Sequence, residues 1–186
     1  MTDPFDSTLA DLALRLERLT PDPARVADPY ILVTLKEALT GVLEGNAGVG
    51  AVLVDPAGQI VQAGHARMFY PRFRSDLHAE MDVLTEFEQR AGEGQTLRNY
   101  TLYSSLEPCE MCMIRIINAG VTRICYAAKD DKAKTDRRGE WAPHWQRLAA
   151  AQEFARAECS PEMADLAWQI FVLGAPRHTE KLMARR

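Results

Sequence analysis

Two short stretches hold the residue types that could do chemistry together: His78-Ala79-Glu80 and, further along, Pro108-Cys109-Glu110-Met111-Cys112. An imidazole and two thiolates form a soft ligand set that suits zinc. Three protein ligands leave one coordination position open for water, as in catalytic rather than closed structural sites. Glu80 is the nearby carboxylate that such a metal does not need as a ligand. Next to an activated water it could take a proton and hand it on, first as general base and then as general acid. The chemistry expected of this set is hydroxide attack on an amidine-like carbon, protonation of a ring nitrogen and loss of ammonia.

This chemistry needs helix starts. A proline is favoured at the first helical position, and Cys109-x-x-Cys112 then puts two sulfurs one turn apart. Both motifs are expected in the first turn of a helix, where partial positive charge favours thiolate over thiol. His78 would bind as neutral imidazole. At that spacing Glu80 points away from His78, towards a cavity.

The elements that must hold these helices follow from periodicity. Leu9, Leu12, Leu16 and Leu19 give a helix over residues 7–19, with Ser7 as its N-cap. A second helix runs from Pro29 to Leu43. Residues 49–54 and 59–64 flank the turn Asp55-Pro56-Ala57-Gly58 and read as a hairpin. A loop over residues 65–76 leads to a helix from Leu77 to Arg90, a strand from Tyr100 to Ser104 and a helix from Cys109 to Ala119, closed by Gly120. Then come a strand from Val121 to Ala127, a charged loop over 128–141 and a helix over 143–152. A strand near 154–159 and a helix from Pro161 to Leu173 follow, and a tail at 174–186 is expected to fray. Strands alternating with helices argue for an α/β layered sheet.

The chain has 186 residues, enough for one domain with a real core. No apolar run reaches the length of a membrane span. The acidic start Met1-Thr2-Asp3 lacks the basic and apolar regions of a secretory signal, so the expectation is a cytoplasmic protein. A net charge of −4 weighs against a polyanionic substrate. In a reducing compartment a close cysteine pair is metal-binding or redox-active rather than a structural disulfide. Cys125 lies in the apolar run Val121-Thr122-Arg123-Ile124-Cys125-Tyr126 and reads as a buried small hydrophobe; Cys159 has no partner pattern. A structural zinc knuckle would need a fourth ligand from Cys125 or another histidine, and a redox pair would leave His78-x-Glu80 as coincidence.

With these residues in place, the chain resembles the cytidine and deoxycytidylate deaminase superfamily over about residues 30–173. The two motifs match the H-x-E…P-C-x-x-C signature of the zinc nucleobase deaminases. Val49-Gly50-Ala51-Val52-Leu53-Val54 is similar to the family's first strand, and Thr101-Leu102-Tyr103-Ser104-Ser105-Leu106-Glu107 to the strand that enters the zinc helix. The resemblance implies a three-layer αβα sandwich with a five-stranded mixed sheet, and a Zn2+ held by His78, Cys109 and Cys112. It also implies Glu80 as proton shuttle, a substrate contact from the Ala79 backbone N–H, and a homodimer with the helix after Cys112 near the contact. On this view residues 1–186 form a single deaminase domain, with 1–28 as an N-terminal helical extension and 174–186 as a C-terminal tail.

Within the superfamily the pattern is most similar to guanine, fungal-type cytosine and tRNA adenosine deaminases. Those relatives carry Gly-His-Asn or Gly-Trp-Asn at the end of the second strand, where the asparagine holds the base. Here the stretch is Gly64-His65-Ala66-Arg67, and Ala66 has no amide. His65, Arg67 and Asn46 are candidates to replace it, and Trp141 and His144 after the fourth strand are a second group, weighed evenly against simple packing. The cluster Met68-Phe69-Tyr70-Pro71-Arg72-Phe73-Arg74 reads as an interface or pocket rim ahead of a nucleic-acid surface. Glu107 reads as structural, Arg115 as a surface or subunit contact, and His178 is assigned no role. The expected activity is zinc-dependent hydrolytic deamination of a free nucleobase, nucleoside or small amino-heterocycle. The alternatives are a tRNA adenosine deaminase and a non-catalytic zinc-binding module of the same fold.

Overall fold

The leucines of the first helix turn one face inward, and Leu12 and Leu16 are buried beneath α1 (Pro4–Arg18). In this computed structural model, which describes residues 3–92, 94–129 and 138–186, α1 starts earlier than the leucine spacing predicts. Asp3 is the N-cap and its Oδ1 accepts the Phe5 N–H at 2.9 Å, while the Ser7 hydroxyl donates to the Pro4 carbonyl from inside the helix. Helix α2 (Asp28–Leu43) buries Ile31, Leu35, Ala38 and Val42 at helical spacing. The Asp28 carboxylate is fully buried and accepts the N–H groups of Asp22 at 3.0 Å and Ser160 at 2.7 Å, tying the proline-rich link to the start of the last helix.

The remaining elements alternate as the pattern predicts: β1 (Gly50–Val54), β2 (Ile60–His65), α3 (Ala79–Glu88), β3 (Thr101–Leu106), α4 (Glu110–Ala119), β4 (Arg123–Ala128), α5 (Pro143–Ala149), β5 (Glu153–Arg156) and α6 (Pro161–Met183). The five strands form one mixed sheet in the order β2-β1-β3-β4-β5. Strand β1 is antiparallel to β2 and β3, and β3, β4 and β5 run parallel. Ala51 pairs with Ser104, and Tyr103 with Cys125.

Alternation along these strands separates two cores. Ala51, Leu53, Leu102 and Ile124 pack with Ala79, Val83 and Leu84 of α3 and Cys112, Met113 and Ile116 of α4. Val52, Val54, Tyr103 and Cys125 pack on the other face with residues of α1, α2 and α6. The three-layer αβα sandwich is therefore present, and Cys125 is a buried core residue. No helix among the described residues is long and apolar enough to cross a membrane. Of the charged loop over 128–141, residues 130–137 lie outside the described residues.

The largest departure is at the C-terminus. Gly174-Ala175-Pro176 reads as a stop, since proline removes a helical hydrogen bond and clashes with the preceding turn, yet α6 runs through it to Met183. Tertiary contacts carry it. The Lys181 ammonium donates to the Gly45 carbonyl at 2.6 Å, and Arg177 pairs with Asp3 at 3.3 Å and lies 3.3 Å over the Phe5 ring. Where α6 crosses the turn between α2 and β1, two glycines meet. A Cβ on Gly48 would lie 2.3 Å from the Ile170 carbonyl oxygen, and one on Gly174 would lie 2.8 Å from the Gly48 nitrogen. This crossing seats the second half of α6 beside the ends of the strands.

Candidate metal centre and cavity

Helices α3 and α4 each begin directly after a metal-ligating side chain. His78 is the N-cap of α3 at φ −72°, ψ 165°, and Cys109 is the N-cap of α4 at φ −69°, ψ 169°. Pro108 thus precedes the cap instead of opening the helix: Cys109 is extended, and the first helical bond runs from the Met113 N–H to the Cys109 carbonyl at 2.9 Å. A serine or aspartate here would fold back to cap its helix. His78 and Cys109 make no such bond and face each other.

Cys109 Sγ is 3.5 Å from His78 Nδ1, Cys112 Sγ is 3.6 Å from the same nitrogen, and the two sulfurs are 3.7 Å apart. Tetrahedral zinc, with bonds of about 2.3 Å to sulfur and about 2.0–2.1 Å to nitrogen, requires about 3.8 Å between sulfurs and about 3.5–3.6 Å from sulfur to nitrogen. The triangle fits zinc as it stands. Among the described residues the group has these three members, so Cys125 does not close it as a fourth ligand.

The electrostatics split the cysteine pair. The hydrogen bond from Cys112, then that from His78, bring the Cys109 thiol down to a pKa of about 4, as a thiolate at the positive end of α4. Cys112, fully buried, is pushed up by that same hydrogen bond and by burial. The Cys109 thiolate raises the pKa of His78. Glu80, only 2% exposed, is pushed up by burial and then by the Cys109 charge. Its Oε1 accepts the hydroxyl of the fully buried Ser104 on β3 at 2.9 Å.

These groups open onto a cavity of about 230 Å³ at the C-terminal end of β3, where ligands of open α/β sheets bind. His78, Ala79, Glu80 and Cys109 line one side. Ala47, Val49, Ala66, Met68 and Leu106 contribute apolar wall, and Phe171 and His178 reach in from α6. Ala66 therefore does line the cavity, and the wall there is a methyl group. Glu107 also lines it, which its place beside the motif did not reveal. A larger, more open groove of about 670 Å³ near Lys129 and Arg156 holds none of the metal-ligating groups.

The other sequence candidates lie elsewhere. Both ring nitrogens of His65 are engaged, Nδ1 with Glu37 at 2.6 Å and Nε2 with Glu44 at 3.0 Å, because β2 turns that side chain towards α2. Arg67 pairs with Asp82 at 3.3 Å. Asn46 is buried behind the wall, and its Oδ1 accepts the Phe69 N–H at 2.7 Å, anchoring the loop after β2. Trp141 packs on the α3–α4 core, and His144 is exposed against Trp145. In the aromatic loop Met68 is a wall residue, and Phe69 stacks edge-on to His178 at 5.2 Å. Arg115 pairs with Glu88.

Comparison with known proteins agrees with this site. Residues 27–128 match the family model described as the cytidine and deoxycytidylate deaminase zinc-binding region. Over 103 residues, 55% of the chain, it is 35% identical to the tRNA-specific adenosine deaminase of Bacillus subtilis, of which the match spans 62%. Over 113 residues it is 34% identical to the tRNA(Ile)-lysidine synthase of Deinococcus deserti, spanning 20% of that protein. A solved tRNA:A34 deaminase superposes with a TM-score of 0.59 at 26% identity, covering 69% of this chain and 97% of that one. The guanine deaminase of Nitrosomonas europaea shares the fold, with a TM-score of 0.60 at 20% identity and 94% of each chain covered. With its matched segment enclosing both motifs and the three groups set at zinc-bonding distances, the chain belongs to the cytidine and deoxycytidylate deaminase family, whose metal is zinc.

Proposed function

We propose that the chain is a hydrolytic deaminase of a free nucleobase, nucleoside or related small amino-heterocycle. The observation that carries this reading is the zinc-sized triangle of His78, Cys109 and Cys112, two of whose members, His78 and Cys109, line a cavity that also presents the buried carboxyl of Glu80. Zinc held by the three side chains supplies an activated water at neutral pH.

The chain's own groups do the rest. Glu80 takes a proton from the attacking water, delivers it to the ring nitrogen beside the attacked carbon, and then moves a second proton to the departing amine. Water and the amidine carbon thus become a ring carbonyl and ammonia. The Ser104 hydroxyl donates to Glu80 Oε1 and positions the carboxyl for these transfers. Ala79, the first residue of α3, lines the cavity with a backbone N–H that has no partner within its helix and is suited to a substrate oxygen. A cavity of about 230 Å³, narrowed by Phe171 and His178, favours a small ring over a nucleotide within a folded RNA. The family resemblance adds a homodimer to this reading.

Ammonia release from guanine, cytosine, adenine, their nucleosides, pterins and triazines tests the reading. Glu80→Gln should keep its zinc and lose about 10²–10⁴ in turnover. A mutant as active as the parent, or a purified protein without zinc, would sink it. The relatives named for tRNA adenosine favour a second reading, which predicts tRNA binding that falls steeply with salt.

A further inference from the structure

Polar atoms of two cavity side chains have no hydrogen-bond partner. Glu107 is 3% exposed, and neither of its carboxyl oxygens is hydrogen-bonded. Nδ1 of His178 is also buried without a partner. Both residues line the same cavity as Glu80. Burying a carboxyl group without hydrogen bonds costs several kcal/mol, so native structures rarely leave one orphaned unless ordered water or a ligand completes it.

Local structure explains why Glu107 faces this way. Its N–H donates to the Ala128 carbonyl at 2.8 Å, so it prolongs β3 by one residue alongside β4. Alternation then sets it on the same face as Tyr103 and Ser105, the face covered by α2 and α6, whereas Ser104 reaches Glu80 on the other face. His178 comes from the part of α6 beyond the Gly48–Gly174 crossing. The two orphaned groups therefore stand where α6 meets the strand ends, and the apolar Ala66 adds no competing polar contact.

We propose that Glu107 and His178 form a specificity subsite that selects amino-heterocycles with a second N–H donor, either a ring N–H or a second exocyclic amino group. This rests on the deaminase reading above. Glu107 accepts the second donor, and His178 Nδ1 bonds to a polar atom of the same ring. A substrate without that donor would leave the Glu107 carboxyl buried and unpaired. Sites built this way reject the deficient analogue by up to about 10⁴-fold.

Two matched pairs test it: 2,6-diaminopurine against adenine, and 2,4-diaminopyrimidine against 4-aminopyrimidine. Initial rates of ammonia release give kcat/KM for the zinc-loaded wild type. Calorimetry on the turnover-impaired Glu80→Gln background gives Kd for the same compounds. We expect the diamino member of each pair to be preferred by about 10²-fold or more in both readouts. Glu107→Gln should cut that preference at least tenfold with zinc content unchanged, and His178→Phe should cut it to a smaller extent. If Glu107→Gln does not fold, the wild-type ratios and His178→Phe decide. Wild-type ratios within threefold of unity, or a preference that survives in the variants, would overturn the subsite while leaving the deaminase reading in place. Wild-type protein that binds these compounds with the expected preference but releases ammonia from no heterocycle would support the subsite and overturn the deaminase reading.

Discussion

His78, Cys109 and Cys112 stand on the first turns of two neighbouring helices, with their ligand atoms 3.5–3.7 Å apart. The facing parts of the cavity, Ala66, Glu107, Phe171 and His178, come from three separate stretches of the chain, and among the described residues no hydrogen bond joins them to one another. The first group is held by local geometry: a helix start sets each side chain, and an i, i+3 spacing sets both sulfurs. The second is held by where α6 crosses the sheet. A reacting centre built from local geometry tolerates change elsewhere, whereas a wall assembled from distant segments can be remade by moving one helix.

Breaking the local side should have the largest effect. Cys112→Ala removes a fully buried ligand, and we expect zinc stoichiometry to collapse and ammonia release to fall by about 10³-fold or more. Elemental analysis alongside an activity assay checks both. Zinc retained at full stoichiometry would contradict the ligand assignment.

A bulky side chain at the crossing should separate the two sides. In Gly174→Val the new Cβ would meet the Gly48 nitrogen at 2.8 Å and the Asn46 oxygen at 3.1 Å, and both are backbone atoms that cannot easily yield. We expect about 1–3 kcal/mol of destabilisation and a rise in KM of about tenfold, with zinc content unchanged. Thermal denaturation and steady-state kinetics read the two effects. Loss of zinc in this variant would show that the two sides are not separable.

The smallest effect concerns His65, which braces β2 behind the Ala66 wall. Burial alone would lower its pKa, but hydrogen bonds and charge from Glu37 and Glu44 outweigh burial and raise it above 6.5. A group whose pKa is higher folded than unfolded stabilises fully below the unfolded value, and loses that contribution as pH climbs through the folded value. The stability advantage of wild type over His65→Gln should therefore be greatest below about pH 6.5 and shrink as pH rises above it. Denaturant titrations at several pH values measure this, and an advantage that grows with pH would contradict it.

This contrast also explains what could be read before any coordinates. His78-x-Glu80 and Pro108-Cys109-x-x-Cys112 are legible because helix spacing is a property of adjacent residues. Residues 49–54 are legible as one continuous apolar run, and the strand then sends Val52 and Val54 to one core and Ala51 and Leu53 to the other. Glu107 reads as structural in the sequence because nothing in its neighbours tells whether a strand-end side chain meets solvent, core or cavity. His178 falls in a stretch that reads as a fraying tail because Gly174-Ala175-Pro176 breaks a helix locally, and Lys181, Arg177 and their partners far along the chain restore it. His65 and Arg67 looked free only because Glu37, Glu44 and Asp82 are distant in sequence.

The meeting of Gly48 and Gly174 has a consequence for descent. Helix α6 crosses there backbone against backbone, with the Val42 side chain alongside. Phe171 and His178 stand outside the fully buried set Met163, Leu166, Ala167 and Ile170 that packs α6 on the core, so they can vary without disturbing that packing. A lineage could exchange Phe171 or His178 and acquire a new diet while the reacting groups, and the seat itself, stay as inherited.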